Sequence, residues 1–162
     1  HTFFLYDLGL RYPAGVDPLG TSELLAGSFC AAMRGDSESD TFDALVIREG
    51  IGWRQTAILR GYAKYLQQLG TTNSYGFIAD TLRANVRATR ALLALFEAKF
   101  DPDLDQPTRL SYIDSARSEL TAAIDAVPGD HRRCHSGIIR MVLLRLTQPG
   151  FILAHIPGGD QA

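Results

Sequence analysis

The stretch Gly52 to Leu69 constrains this chain more than any other part of it. Trp53, Thr56, Ala57, Leu59, Arg60, Ala63, Tyr65 and Leu66 separate an apolar from a polar face at a helical period. Such a helix is stable only when its apolar side is covered, so the segments around it must supply the cover. Gly70 terminates it.

The flanking segments read as helices of the same kind. Arg11 to Gly20 holds two prolines and two glycines and reads as a linker. Thr21 or Ser22 is the expected N-cap of a helix running to about Arg34, with Glu23 in the first turn and Leu24, Leu25, Phe29, Ala32 and Met33 at helical spacing. Gly35 stops it, and Asp36 to Asp40 reads as an acidic, exposed turn. Asp40 or Thr41 is expected to cap a short helix with Phe42, Leu45 and Val46 inward, ended by Gly50. Further helices are expected over Ser74 to Ala84, Val86 to Phe100 and Thr108 to Val127, the last with Pro107 in its first turn. Asp130 would cap a final helix to about Thr147, before Pro149-Gly150. Thr2 to Leu10 is rich in aromatic and branched residues and reads as a strand, and Phe151 to Ile156 could be another. The expected fold is mainly α, an array of six or seven helices with one N-terminal strand. A lone strand cannot satisfy its own backbone groups, and the chain opens inside that apolar run without Met. Both features lead us to expect a piece of a longer polypeptide.

The 162 residues suffice for one domain with a real core, and 46% hydrophobic with 21% charged residues argues against disorder. A net charge of -2 gives no general attraction to nucleic acid or anionic membrane. No run approaches the roughly 20 apolar residues of a membrane span. Cys30 and Cys134 alone do not make a disulfide scaffold, and reduced thiols in a cytoplasm are expected.

Few residues carry candidate chemistry. His131, Cys134 and His135 share a helical face at spacings that could present metal ligands, but structural zinc normally takes four protein ligands and only Cys30 stands out as a fourth. Asp101, Asp103 and Asp105 alternate like the start of a calcium loop, without its glycine or its closing glutamate, so a solvated loop is expected. Arg132, Arg133, Arg140 and Arg145 concentrate positive charge on the last helix, where an anion or an acidic partner domain could bind, although a basic solvent face accounts for the same pattern. Trp53, Tyr62 and Tyr65 could form an aromatic platform, a spacing that more often serves core and interface packing. No dinucleotide-binding fingerprint, P-loop, nucleophile elbow or zinc-protease motif occurs.

The stretch from Phe42 to Pro102 carries a resemblance. FDALVIREGIGWRQTAILRGYAKYLQQLG, followed by SYGFIADTLRANVRATRALLALFEAKFDP, resembles the helical region of the large bacterial NAD-specific glutamate dehydrogenases. The matching residues include Leu45, Gly50, Trp53, Arg54, Leu59, Arg60, Tyr62, Lys64, Tyr65, Leu66, Ile78, Leu95, Phe96, Phe100, Asp101 and Pro102. The resemblance is most specific from Trp53 to Tyr65 and weakens after Ala126, where the family carries an L-R-T-N stretch and this chain has Leu144-Arg145-Leu146-Thr147.

The resemblance implies a division of the chain. Residues 1–20 would end an upstream ACT-like sheet region with its linker, 21–148 would form the helical domain, and 149–162 would lead toward a downstream catalytic domain. It implies an enzyme that oxidatively deaminates L-glutamate to 2-oxoglutarate and ammonia with NAD, assembled as a homo-oligomer, with its catalytic and cofactor-binding residues outside this segment. No catalytic, cofactor or metal residue is therefore assigned here. Trp53, Arg54, Arg60, Tyr62, Lys64 and Tyr65 are expected to serve packing and interfaces with adjacent domains of the same polypeptide. Arg132, Arg133 and Arg140 are expected at an anion or domain contact. The alternative expectation is an independent helical module that binds a protein.

Overall fold

The computed structural model describes residues 5, 7, 9–127 and 137–142. Its order is α1 (Pro18–Arg34), α2 (Asp43–Glu49), α3 (Trp53–Gln68), α4 (Tyr75–Ala84), α5 (Val86–Phe100) and α6 (Gln106–Asp125), followed by a short helical segment over 137–142. The mainly α fold is as expected. The N-terminal strand is not seen. Leu5, Asp7, Gly9 and Leu10 lie in neither strand nor helix, and Leu5 and Leu10 are exposed. The physical reason is the one that made the strand doubtful alone: among the described residues no strand exists to take up its amides. The rest of Thr2 to Leu10, the expected strand over Phe151 to Ile156, and most of the expected last helix lie outside the described residues.

The helix ends follow local chemistry. α1 begins earlier than the composition of the linker suggested. Asp17 is its N-cap, accepting hydrogen bonds from the amides of Leu19 (3.1 Å) and Gly20 (3.1 Å), and Pro18 takes a first-turn position where its missing N–H costs nothing. The helix closes at Gly35, whose φ of +80° lets its own amide and that of Asp36 reach back to the carbonyls of Ala32 and Ala31. Gly50, at φ +62°, ends α2 in the same left-handed conformation. Ser74 caps α4 through the Phe77 amide (3.2 Å), and Asp105 caps α6 through the Thr108 amide (3.3 Å), with Pro107 in the first turn as expected.

A single core runs through the array. Phe42, Leu45, Ile51, Leu59, Leu66, Ile78, Leu82, Leu92, Leu95, Leu120 and Ile124 are almost fully buried, and Ile138, Ile139 and Val142 join them. Only Asn85 separates α4 from α5, and the corner is closed by side chains. Asn85 donates to the Thr81 carbonyl (2.8 Å), and the buried Thr89 hydroxyl donates to the Leu82 carbonyl (2.8 Å). α5 and α6 pack over Ala88, Ala91 and Ala98 on one side and Ala116 and Ala123 on the other, short side chains that let helix axes approach closely. Arginines tie helix ends across the array: Arg109 of α6 donates to the carbonyls of Lys99 (2.8 Å) and Leu104 (2.9 Å), and Arg90 of α5 donates to the Glu49 carbonyl at the end of α2. α1 stands apart in burial. Ala31 is its one fully covered residue, while Leu19, Phe29 and Met33 are exposed. No helix among the described residues is long and apolar enough to cross a membrane.

Leu92 is fully buried at the centre of α5. Leu92→Ala is expected to lower the free energy of unfolding by about 2–5 kcal/mol through lost burial and a residual cavity, read as a shift of the urea midpoint at unchanged slope. A loss below about 1 kcal/mol would mean that this position is not core.

Candidate functional site

The most elaborate polar construction among the described residues is centred on Arg60. A helical register that turns Leu59, Tyr62, Ala63 and Leu66 inward carries Arg60 inward with them, and its side chain is only 5% exposed. A guanidinium keeps its charge at any ordinary pH and offers five donors, so burial at this depth requires acceptors. The loop between α1 and α2 delivers two and the first residue of α2 a third. Arg60 Nε donates to Asp40 Oδ1 (2.9 Å), Nη1 to Ser37 Oγ (2.9 Å), and Nη2 to Asp43 Oδ1.

The acceptors are themselves held. Asp40 Oδ1 also accepts from the Phe42 amide (2.9 Å), and Asp40 Oδ2 accepts from the Tyr75 hydroxyl at the start of α4 (2.6 Å). Asp43 Oδ2 accepts from the Ser39 hydroxyl (2.8 Å) and the Asp40 amide (3.1 Å). The Tyr75 ring packs on Phe42 with centroids 5.2 Å apart. One turn after Arg60, Lys64 forms an exposed ion pair with Glu38. Three segments, the 37–43 turn, α3 and the start of α4, are thus clasped at one buried charge. In the acidic turn expected to be exposed, Asp36, Glu38 and Ser39 are exposed, whereas Ser37 and Asp40 are partly buried as acceptors of Arg60. Asp40 accepts from the Phe42 amide, but α2 begins at Asp43 with Phe42 as its N-cap and no side-chain cap, so neither Asp40 nor Thr41 is the N-cap the sequence suggested.

The clasp sets the acidity of its members. Burial pushes the Asp40 carboxyl up, but hydrogen bonds from Tyr75, Arg60 and the Phe42 amide, with the charge of Arg60, outweigh it and hold Asp40 below the usual carboxylate range. Burial and the bonded Asp40 carboxylate push the Tyr75 hydroxyl well above its usual range. Burial alone does the same to Tyr62, whose ring stands edge-on to Phe96 with centroids 6.2 Å apart.

The other sequence candidates fall in different places. Trp53 opens α3, partly buried, with the Arg54 guanidinium 4.4 Å over its ring. A Cβ added at Gly27 of α1 would meet Trp53 at 3.8 Å, so a glycine faces the indole. Tyr65 is partly buried, and Arg54 and Lys64 are exposed. Arg140 is exposed and pairs with Asp125 (3.0 Å), whereas Arg132, Arg133, Arg145, His131, Cys134 and His135 lie outside the described residues. Cys30 is exposed. In the aspartate loop, Asp101 accepts from the Asp103 amide (2.9 Å) and Asp105 caps α6. No group of His, Cys, Asp and Glu among the described residues is arranged to hold a metal ion.

Together the fold and the clasp define a helical structural region organised round one internal ion network. Residues 37–102 match the family described as glutamate dehydrogenase, helical motif 3. The chain is 32% identical over 131 residues to the NAD-specific glutamate dehydrogenase of Halomonas elongata, a match covering 78% of this chain and 8% of that protein. It is 35% identical over 100 residues to the protein of that name from Pseudomonas aeruginosa (60% of this chain, 6% of that protein) and 34% identical over 115 residues to that from Mycobacterium tuberculosis (71% and 7%). No solved structure matches the chain. Homology places it as a helical region of NAD-specific glutamate dehydrogenase. It spans between 6% and 8% of the length of these three relatives.

The clasp and its exposed neighbour differ sharply in what their removal costs. Arg60→Met is expected to lower unfolding free energy by about 3 kcal/mol, since it leaves two carboxylates without their buried partner. Lys64→Ala, which breaks only an exposed pair, is expected to cost less than about 1 kcal/mol. Equal losses in chemical denaturation would remove the distinction.

A second expectation concerns acid. Because the folded-state acidity of Asp40 lies below the ordinary value of 3.8, its contribution is fully present above that value and is lost as pH falls through the depressed one. Urea midpoints should therefore drop more steeply below pH 4 for the parent chain than for Asp40→Asn, which starts lower at neutral pH. Parallel curves would show that Asp40 carries no such linkage.

Proposed function

We propose that this chain is a non-catalytic, scaffolding segment of a large NAD-dependent glutamate dehydrogenase, whose full polypeptide oxidatively deaminates L-glutamate to 2-oxoglutarate and ammonia. The observation that carries this reading is the coincidence of the clasp with the matched stretch. Ser37, Asp40, Asp43, Arg60, Lys64 and Tyr75 all fall within residues 37–102. The polar residues of that motif are engaged in joining helices to one another, which is the chemistry of a rigid connector. In this reading ACT-like regulatory domains precede the helices, the catalytic domain with its NAD site follows them, and the enzyme works in the cytoplasm as a homo-oligomer.

The exposed apolar residues of α1 support the same reading. Leu19, Phe29 and Met33 are 86%, 56% and 73% exposed, and Ala26 and Cys30 are exposed beside them on the helix. Exposed apolar side chains grouped on one helix in this way mark a contact surface, here one that adjacent domains of the same polypeptide would cover. Exposed Arg54 and Lys64 and the partly buried Trp53 and Tyr65 would sit at such contacts, while Arg60 and Tyr62 act inside the segment.

The test is steady-state kinetics and heat inactivation of the full-length polypeptide carrying Arg60→Met. A scaffold role predicts inactivation at a lower temperature, with KM for glutamate and for NAD each within about twofold of the parent. A rise of about tenfold in either KM, with folding intact, would place Arg60 in binding and overturn the reading.

A further inference from the structure

The core is built without α1. Among the described residues it begins at Phe42, and the half-buried apolar side chains packed against it come from α3 to α6 and the 137–142 segment. Ala31, the one fully buried residue of α1, lies outside that cluster. The inner side of α1 is otherwise half-buried, at Leu24, Leu25, Gly27 and Ala32. It meets its neighbours at glycines. A Cβ added at Gly27 would stand 3.8 Å from Cδ1 of Trp53 at the start of α3, and one added at Gly50, after α2, would stand 3.9 Å from a methyl of Leu24. The hydroxyls of α1 turn back on the helix and its cap: Thr21 donates to the Asp17 carbonyl (2.8 Å) and Ser22 to the Leu19 carbonyl (2.9 Å).

The clasp starts just beyond α1. Ser37 is bonded to Arg60, and only Gly35 and Asp36, both exposed, separate it from Arg34. Gly35 holds φ +80°, and nothing lies within 4 Å of an added Cβ there. At this point the chain passes from a turn fixed by a buried charge to a helix held by little. Detached, α1 would not persist. A helix of 17 residues is marginal in water, and Gly27 in its middle costs roughly fivefold in helix formation relative to alanine. Undocking and unwinding of α1 are therefore coupled. They release the bonds from the amides of Asp36 and Ser37 to the Ala31 carbonyl and leave the Ser37 hydroxyl on Arg60.

We propose that α1 is a strap, which opens as a unit of its own about Gly35 while α2 to α6 and the Arg60 clasp stay folded, and that its opening uncovers the indole of Trp53. The segment then has two states that differ in one helix. The packing of Gly27 on Trp53 sets the balance between them. This stands on the chain itself and not on the enzyme reading.

The experiment is hydrogen–deuterium exchange of the 162-residue chain, resolved by peptide mass spectrometry, together with acrylamide quenching of Trp53, its single tryptophan. Peptides of α1 should show protection at least about tenfold below those of α4 and α5. Trp53→Ala should lower the protection of α1 at least about fivefold further and leave α4 and α5 unchanged. Gly27→Ala works in the opposite direction, because its methyl has room against the indole and alanine favours the helix. It should raise the protection of α1 by roughly fivefold and reduce the quenching of Trp53, and it supplies the test even where Trp53→Ala folds poorly. Protection of α1 equal to that of α5 would overturn the proposal. So would a loss spread evenly over all helices in Trp53→Ala, or quenching in Gly27→Ala at or above that of the parent.

Discussion

A guanidinium cannot shed its charge to suit a buried position, and the arrangement of this chain follows from where Arg60 sits. The period that makes α3 amphipathic puts position 60 on the inward side, next to Leu59 and between Thr56 and Ala63. Acceptors must therefore come to it. The 37–43 turn brings Ser37, Asp40 and Asp43, and Asp40 then reaches Tyr75 with its second oxygen. Because both aspartates are also tied to a backbone amide and a hydroxyl, and Ser37 to the Glu38 carbonyl, the network is satisfied in several directions, which a buried charge needs if it is to be tolerated. The turn from α1 to α2, the placement of α2 and the entry to α4 are all referred to the same side chain. A buried ion network of this kind adds little net stability over a well-packed apolar cluster, but it admits few alternative packings.

The helices were legible because their signals are local. Gly35, Gly50 and Gly70 mark ends, Ser74 and Asp105 mark starts, and the apolar period fills the intervals. α1 shows where local reading goes astray. Pro18 and Gly20 look like linker, yet the carboxylate of Asp17 satisfies the first amides and Pro18 is tolerated in the first turn, so the helix begins there. The clasp was not legible. Arg60 was expected among packing and interface residues, and its partners lie 17 to 23 residues away, beyond any helical period. Without that pairing, Asp36 to Asp40 has only its composition, and an acidic run reads as solvated. The strand expected over Thr2 to Leu10 is not seen at Leu5, Asp7, Gly9 and Leu10 for a related reason: β-propensity describes what a segment could pair with, not whether a partner is present.

Alanine does two kinds of work in the array. Within the α5–α6 pair, Ala88, Ala91, Ala98, Ala116 and Ala123 shorten the distance between helices that carry the larger core side chains Leu92, Leu95, Leu120 and Ile124 on adjoining positions. On α1 the same residue type covers little, since Ala31 alone is fully buried while Leu19, Phe29 and Met33 face outward. The two ends of the chain therefore differ in where their stability comes from. α5 and α6 draw on burial within the chain. α1 draws on its caps, on contacts of its inner side with α2 and α3, and on the indole of Trp53 lying against Gly27.

That difference bears on how such a segment works inside a larger polypeptide. Each exposed apolar side chain of α1 represents roughly 1.5–3 kcal/mol that burial against another surface would add, so α1 gains most from neighbours outside the segment. The clasp gains nothing from them, because its donors and acceptors are already matched. In the proposed role such a segment would keep one geometry between α3, α4 and the 37–43 turn whether or not its surroundings are engaged, while the attachment of α1 would strengthen when they are. In the connector role proposed above, rigidity at Arg60 and dependence at α1 would be complementary, since a connector holds one geometry within itself and draws its attachment from its neighbours.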